Sequence, residues 1–248
     1  MAQIEGRRPV IEALRARRPI DEILVASGAR VGGALAEIVK LAERSGVRIR
    51  EVPRRELEER AESRNPQGVI ATTQASFAYA SVDDLLARAT SAGQLPLLVA
   101  LDGVTDPQNL GALARSCEGA GAHGLIVARR RAAPVTAGAE KASAGALEHL
   151  PVAQVANLVR ALDDLKERGV WIAALDSAAR TTIYDLPGTD PLCIVVGGEG
   201  KGVSRLVLEH ADHRASIPMS GRVQSLNAAA AGAVALFEVR RQRIGSTR

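Results

Sequence analysis

"PLCIVVGGEGKGVS", Pro191–Ser204, is an unbroken apolar run that ends in glycines, one carboxylate and one ammonium. A strand with one wet face alternates polar and apolar residues, whereas a strand covered on both faces is apolar throughout. Three other stretches read the same way: "LPLLVALDG" (Leu95–Gly103), "AHGLIVA" (Ala122–Ala128) and "GVWIAALD" (Gly169–Asp176). Helical segments lie between them at residues 109–121, 136–150 and 157–169. This alternation predicts an α/β fold with a mainly parallel sheet from about residue 95 to the C-terminus.

Upstream, residues 1–75 read as a smaller α/β unit. "PVIEALRARR" (residues 9–18) places Val10, Ile11 and Leu14 on one helical face with arginines opposite. Strands are expected at 20–28, 47–53 and 68–74, a helix at 32–46 with Gly46 as its C-cap, and a short charged helix at 54–63. Residues 76–94 read as a linker holding one short helix, with Ser81 as its N-cap. The expected division is 1–75, 76–94 and 95–248.

Hydrophobic residues make up 46% of the 248, enough for a substantial core. Aromatics are only 2%, so the core must be aliphatic, and base-stacking platforms that need several aromatics are not expected. A net charge of +4 permits a nucleic-acid partner without requiring one. Cys117 and Cys193 are the only cysteines, so neither a disulfide framework nor a metal-ligand set is expected, and both read as small core residues. No apolar run reaches membrane-spanning length, and the Arg-rich start carries Glu5 and Glu12, unlike an acid-poor transit peptide. A cytoplasmic protein is expected.

Three stretches carry candidate chemistry. "LDGVTDPQNLGALARSCEGAG" (Leu101–Gly121) begins at a strand's carboxyl end, where open α/β sheets build ligand sites. Its Arg115 sits among small apolar residues and needs either an acid inside the fold or an anionic ligand. "VVGGEGKGVS" (Val195–Ser204) is neither a G-x-G-x-x-G nor a Walker loop, but it sets the carboxylate of Glu199 among glycines. "IPMSGRVQSLNAAAAG" (Ile217–Gly232) opens an alanine-rich helix, with Ser225 as N-cap and Asn227 in the first turn.

Taken in order, Asn109, Gly111 and Arg115, then Gly197, Glu199, Gly200 and Gly202, then Ile217-Pro218-Met219 with Ser225-Leu226-Asn227, resemble the SpoU (TrmH) family of RNA ribose 2′-O-methyltransferases. The resemblance covers residues 95–243. "IEGRRPVIEAL" and "NPQGVIA" resemble the extra RNA-binding domain, similar in fold to ribosomal protein L30e, of the subgroup that methylates a 23S rRNA guanosine. The chain reads "SLNAAAA" where members often read "SLNVSVA", which keeps Ser225 and Asn227.

The resemblance implies a C-terminal deep trefoil knot, S-adenosylmethionine as cofactor, a homodimer, and no metal. It assigns Asn109, Arg115, Glu199, Ser225 and Asn227 to catalysis and Gly197, Glu199, Gly200, Ile217, Met219 and Leu226 to the cofactor. Arg7, Arg8, Arg15 and Arg115 are the expected RNA contacts. A guanidinium pKa above 12 argues against Arg115 as a base and for a role on negative charge. Methylation of tRNA, or of another rRNA site including those that confer antibiotic resistance, is the alternative within the family. A non-catalytic RNA binder and a flavodoxin- or Rossmann-like metabolic enzyme are the alternatives outside it.

Overall fold

A computed structural model describes residues 2–29, 32–63, 65–73, 77–223 and 225–245. Its first sheet is built from β1 (Ala2–Glu5), β2 (Glu22–Ala26), β3 (Arg48–Val52) and β4 (Val69–Thr73), in the order β1-β4-β2-β3. β2 and β3 are parallel, and β4 is antiparallel to β1 and β2. Helices α1 (Arg7–Arg15) and α2 (Ala34–Ser45) cover one face over Ile4, Val10, Ile11 and Ile38, and α3 (Arg54–Arg60) covers the other through Leu57. Strand β1 was not expected; Ala2–Glu5 pairs with Ile70–Thr73, far along the chain. Gln74, expected as the end of the strand at 68–74, lies outside the described residues.

Residues expected as a linker belong to the second layer system from Phe77 onward. Phe77 and Tyr79 pack edge to face, Ala80 bridges Ala153, and Leu85 of α4 (Val82–Ser91) is fully buried under the second sheet. Ser81 caps α4 in a reciprocal box with Asp84.

The second sheet contains β5 (Leu97–Asp102), β6 (Gly124–Ala128), β7 (Val152–Val155), β8 (Trp171–Leu175), β9 (Leu192–Gly197) and β10 (His213–Ala215). All its pairings are parallel, in the order β10-β8-β9-β5-β6-β7. Side-chain alternation explains the apolar runs. Val99, Leu101, Ile194 and Val196 face a core with α5 (Pro107–Ala120) and α9 (Ala228–Gly245), while Leu98, Ala100, Cys193 and Val195 face α4, α7 (Leu158–Glu167) and α8 (Arg205–His210). Both cysteines are buried on opposite faces of the sheet, and burial raises both thiol pKa values, that of Cys193 to about 12.

The helix expected over 136–150 is instead α6 (Ala137–Ala142), a left-handed pair at Ala144 and Gly145, and a 3-10 turn at Ala146–Glu148. This break serves the seam between the sheets: a Cβ on Gly145 would sit 2.3 Å from Glu12 Cγ of α1. At the same seam Arg18 donates to Glu140 at 2.7 Å and to Glu148 at 2.9 Å, all three nearly buried. Among the described residues no helix is long and apolar enough to cross a membrane.

Candidate active site

The site assembles at the carboxyl ends of β5 and β9, which are neighbours in the middle of the second sheet. The loop after β9 folds back on itself. Gly202 N donates to Gly198 O at 3.0 Å, and the loop is fastened to β5 by Gly198 N to Asp102 O (2.9 Å) and Ser204 N to Asp102 Oδ2 (2.6 Å). Glycine is required here by backbone contact: a Cβ on Gly197 would lie 2.0 Å from the Gly202 carbonyl carbon and 2.2 Å from Val203 N.

Helix α5 starts at Asp106, whose side chain accepts from Gln108 N at 2.9 Å, with Pro107 at the first helical position. Because Asp106 is the cap, Asn109 has its amide free for other partners, and it is buried at 8% exposure. Asn109 Nδ2 donates to Glu199 Oε1 at 3.0 Å. Asn227 Nδ2 donates to both Asn109 Oδ1 (2.8 Å) and Glu199 Oε1 (2.7 Å). Three sequence-predicted residues from three distant segments thus form one closed hydrogen-bonded triangle.

The capping expectation at the third segment is corrected. Asn227, not Ser225, caps α9: its Oδ1 accepts from Ala229 N at 2.9 Å and Ala230 N at 3.2 Å. Asn227 therefore has both amide ends engaged, one on the helix and one on the triangle. Glu199 has Oε1 doubly engaged, while Oε2 has no partner among the described residues and faces solvent in an exposed loop.

Beside the triangle lies a cleft of about 430 Å³, within the range of small-molecule sites. Gly197, Glu199, Gly200, Ile217, Met219 and Leu226 all line it, as does Ser225. Its walls combine glycine backbone and apolar side chains with a few polar and charged groups. Asp176, Ser177 and Lys201 also line it and were not singled out in the sequence. Asp176 directly follows β8, next to β9, and a buried apolar run closing in Asp was the available signal; the β8–β9 adjacency was not legible.

Arg115 is not brought to the triangle. It is exposed on α5 and has no hydrogen bond or ion pair among the described residues, so the acid partner inside the fold is ruled out. In the first unit, Arg8 is exposed, Arg7 Nε donates to Gln67 O at 3.4 Å, and Arg15 is paired with Glu12 (2.7 Å) and Glu37 (2.5 Å). Arg18, read with them as part of the same basic face, is buried at the seam instead. A second cavity of about 640 Å³ lies in this unit between Arg7, Ser27, Arg54, Asn65 and Gln67. Among the described residues no three His, Cys, Asp or Glu side chains form a metal cluster.

Comparison with known proteins matches two families in tandem. Residues 96–237 match the SpoU rRNA Methylase family and residues 3–78 the RNA 2′-O ribose methyltransferase substrate-binding family. The chain is 48% identical over 241 residues to an uncharacterized tRNA/rRNA methyltransferase of Mycolicibacterium paratuberculosis, covering 97% of this chain and 77% of the relative. It superposes with a TM-score of 0.79, at 26% identity, on the SpoU methyltransferase AviRb of Streptomyces viridochromogenes in complex with AdoMet, covering 98% of this chain and 90% of the other. An AdoMet-bound rRNA methyltransferase of Sinorhizobium meliloti matches with a TM-score of 0.74 at 26% identity, covering 97% and 87%.

Proposed function

The chain belongs to the SpoU rRNA methylase family of RNA 2′-O-ribose methyltransferases, and from that premise we propose that it binds S-adenosylmethionine in the glycine-lined cleft and methylates a guanosine ribose of 23S rRNA. The observation that carries the reading is the Asn109–Glu199–Asn227 triangle beside that cleft, sharing Glu199 with its lining. When bound, S-adenosylmethionine supplies a methyl group already activated on a sulfonium centre. The protein then has to hold the ribose in line, exclude competing water and manage the proton of the 2′-hydroxyl.

Each polar residue has a part in this. Asn227 fixes the start of α9 and, with Asn109, orients the Glu199 carboxylate, leaving Oε2 to accept a hydrogen bond from a ligand. Ser225 lines the cleft beside Leu226 and Met219, in reach of the same ligand. Arg115 stays ionised at any working pH and binds the phosphate of the target or steadies charge developing on its oxygen. Its exposure without a partner supports this role.

Residues 1–75 form the substrate-choosing domain of this proposal, with the cavity beside Arg7 and exposed Arg8 taking RNA; 95–248 form the methyltransferase domain. The Sinorhizobium rRNA enzyme, matched across both units, supports rRNA over tRNA. A homodimer is supported by α9, which exposes Val234 and Phe237; Phe237 lies against Gly119, one helical turn beyond Arg115. The trefoil knot is supported by the path of the C-terminal segment, which lines the β9 cleft and then packs α9 on α5. There Arg243 bonds the carbonyls of Leu95, Pro96, Gly188 and Asp190. The proposed compartment is the cytoplasm, where rRNA is modified.

Calorimetry with S-adenosylmethionine tests the cleft. Gly197→Val places a branched side chain against the Gly202–Val203 backbone and is expected to weaken binding by 10-fold or more, about 1.4 kcal/mol. Unchanged affinity in that variant would put the cofactor elsewhere.

A further inference from the structure

The loop leaving β6 reads Arg129-Arg130-Arg131, and nothing above assigns it a role. All three residues are exposed, and their side chains have no hydrogen bond or ion pair among the described residues. Exposed arginines elsewhere include both kinds: Arg54, Arg55 and Arg205 each pair with a glutamate four residues on, while Arg44 and Arg160 are unpaired among the described residues but stand singly, not in a run of three. A run of three cations without an acid is self-repelling, and it is kept close by a firmly anchored backbone. Arg129 N donates to Val155 O at 2.8 Å, Ala133 N to Val104 O at 2.8 Å, and Val135 N to Tyr79 Oη at 3.1 Å. Arg131 is held at φ 61°, a left-handed conformation that disfavours a residue with a side chain and that persists where surrounding structure imposes it.

The position is as telling as the charge. Strand β5 lies between β6 and β9. Its terminal loop, Asp102–Val104, is bonded on one side to the glycine loop carrying Glu199 and on the other to the arginine loop. Adjacent strands are about 4.8 Å apart, so the arginines stand two strand spacings, roughly 10 Å, along the same rim from the triangle. A chain laid across the carboxyl edge of the sheet with one ribose at Glu199 passes this loop within a nucleotide or two.

We propose that Arg129, Arg130 and Arg131 form a phosphate-binding rim that holds the RNA strand flanking the target ribose, apart from any contact made by the first unit. Guanidinium forks match phosphate oxygens, and the contact is independent of sequence. The proposal rests on the RNA-methyltransferase reading: the loop positions the substrate and does not touch the reacting atoms.

The test uses the full chain, oligouridylate as single-stranded probe, and the salt dependence of its affinity. Each phosphate contact on a single strand contributes about 0.7 to the slope of log affinity against log salt. Substituting all three arginines by glutamine should therefore lower the slope by about 2 and weaken binding at low salt, with S-adenosylmethionine affinity within about twofold of wild type. The all-lysine variant should keep the slope. A control that removes the same charge from the α7–α8 side, Arg160→Gln with Arg168→Gln and Arg205→Gln, should keep it too. An unchanged slope in the glutamine variant, an equal drop in the control, or a lysine variant that behaves like the glutamine one overturns the proposal. A wild-type chain that binds S-adenosylmethionine but no RNA counts against the functional reading itself, a separable failure.

Discussion

At the seam between the two sheets Arg18, 11% exposed, meets two carboxylates; on α5 and on the loop after β6, Arg115 and Arg129–Arg131 are exposed and meet none. The same side chain does opposite work in the two places. Burying a guanidinium costs desolvation, which only close partners offset, so the Arg18 cluster fixes how the first sheet sits on α6. Around it, Lys141 donates to Ser63 Oγ at 3.1 Å and His149 lies 3.1 Å from Glu12 Oε2. Burial pushes the Glu140 carboxyl above its ordinary range and the adjacent Arg18 works against that push. Arg115 and Arg129–Arg131 keep their guanidinium groups hydrated.

The largest effect belongs to Arg18. Arg18→Ala strands Glu140 and Glu148 in the seam, where Glu140 Oε2 already has no partner, and should cost about 3–5 kcal/mol in urea denaturation. Replacing Arg18, Glu140 and Glu148 together by apolar residues of similar volume should recover most of that loss. If the single variant is as stable as wild type, the seam is not held by this cluster.

A smaller effect comes from a buried group kept neutral. His123 Nδ1 accepts from Leu97 N at 3.0 Å and Nε2 lies 3.1 Å from Gln94 Oε1. Burial, with Arg243 and Arg88 nearby, holds its pKa below the ordinary 6.5. The unfolded chain therefore takes up a proton below about pH 6.5 while the folded chain resists. Stability from this residue is fully present above that pH and is lost as pH falls toward the folded pKa. The urea midpoint should drop between about pH 7.5 and 5.5, and His123→Gln should flatten the drop. The smallest effect belongs to α5: Arg115→Ala should change stability by less than about 0.5 kcal/mol, because an exposed, unpaired side chain gives the fold nothing to lose.

Much of this was legible in the sequence, for a physical reason. Strands β5, β6, β8 and β9 are buried on both faces, and that burial forces runs of apolar residues that cannot be mistaken for amphipathic strands. Glu199 and Asn227 stood out as polar residues at element ends and Asn109 through the family resemblance, and the structure joins all three. What escaped depended on contacts distant along the chain. Strand β1 exists because β4 pairs with it, β10 is three residues long beside β8, and Asp176 reaches the cleft only because β8 lies next to β9. Arg18 read as part of an exposed basic face because its acids lie beyond residue 139. Ser225 read as the cap because serine is a good one; Asn227 fills that place with one amide end while the other joins the triangle.

We propose that the cleft and its triangle deliver a methyl group to a ribose 2′-oxygen of RNA, with Arg115 acting on negative charge. The most direct measurement is nucleoside mass spectrometry of 23S rRNA incubated with S-adenosylmethionine and the purified protein, run beside Arg115→Ala. Wild type should yield 2′-O-methylguanosine, and the variant should lose it by 100-fold or more, about 2.7 kcal/mol, while calorimetry shows cofactor affinity retained. A methyl group found on a base, or an Arg115→Ala variant that methylates at the wild-type rate, would contradict it.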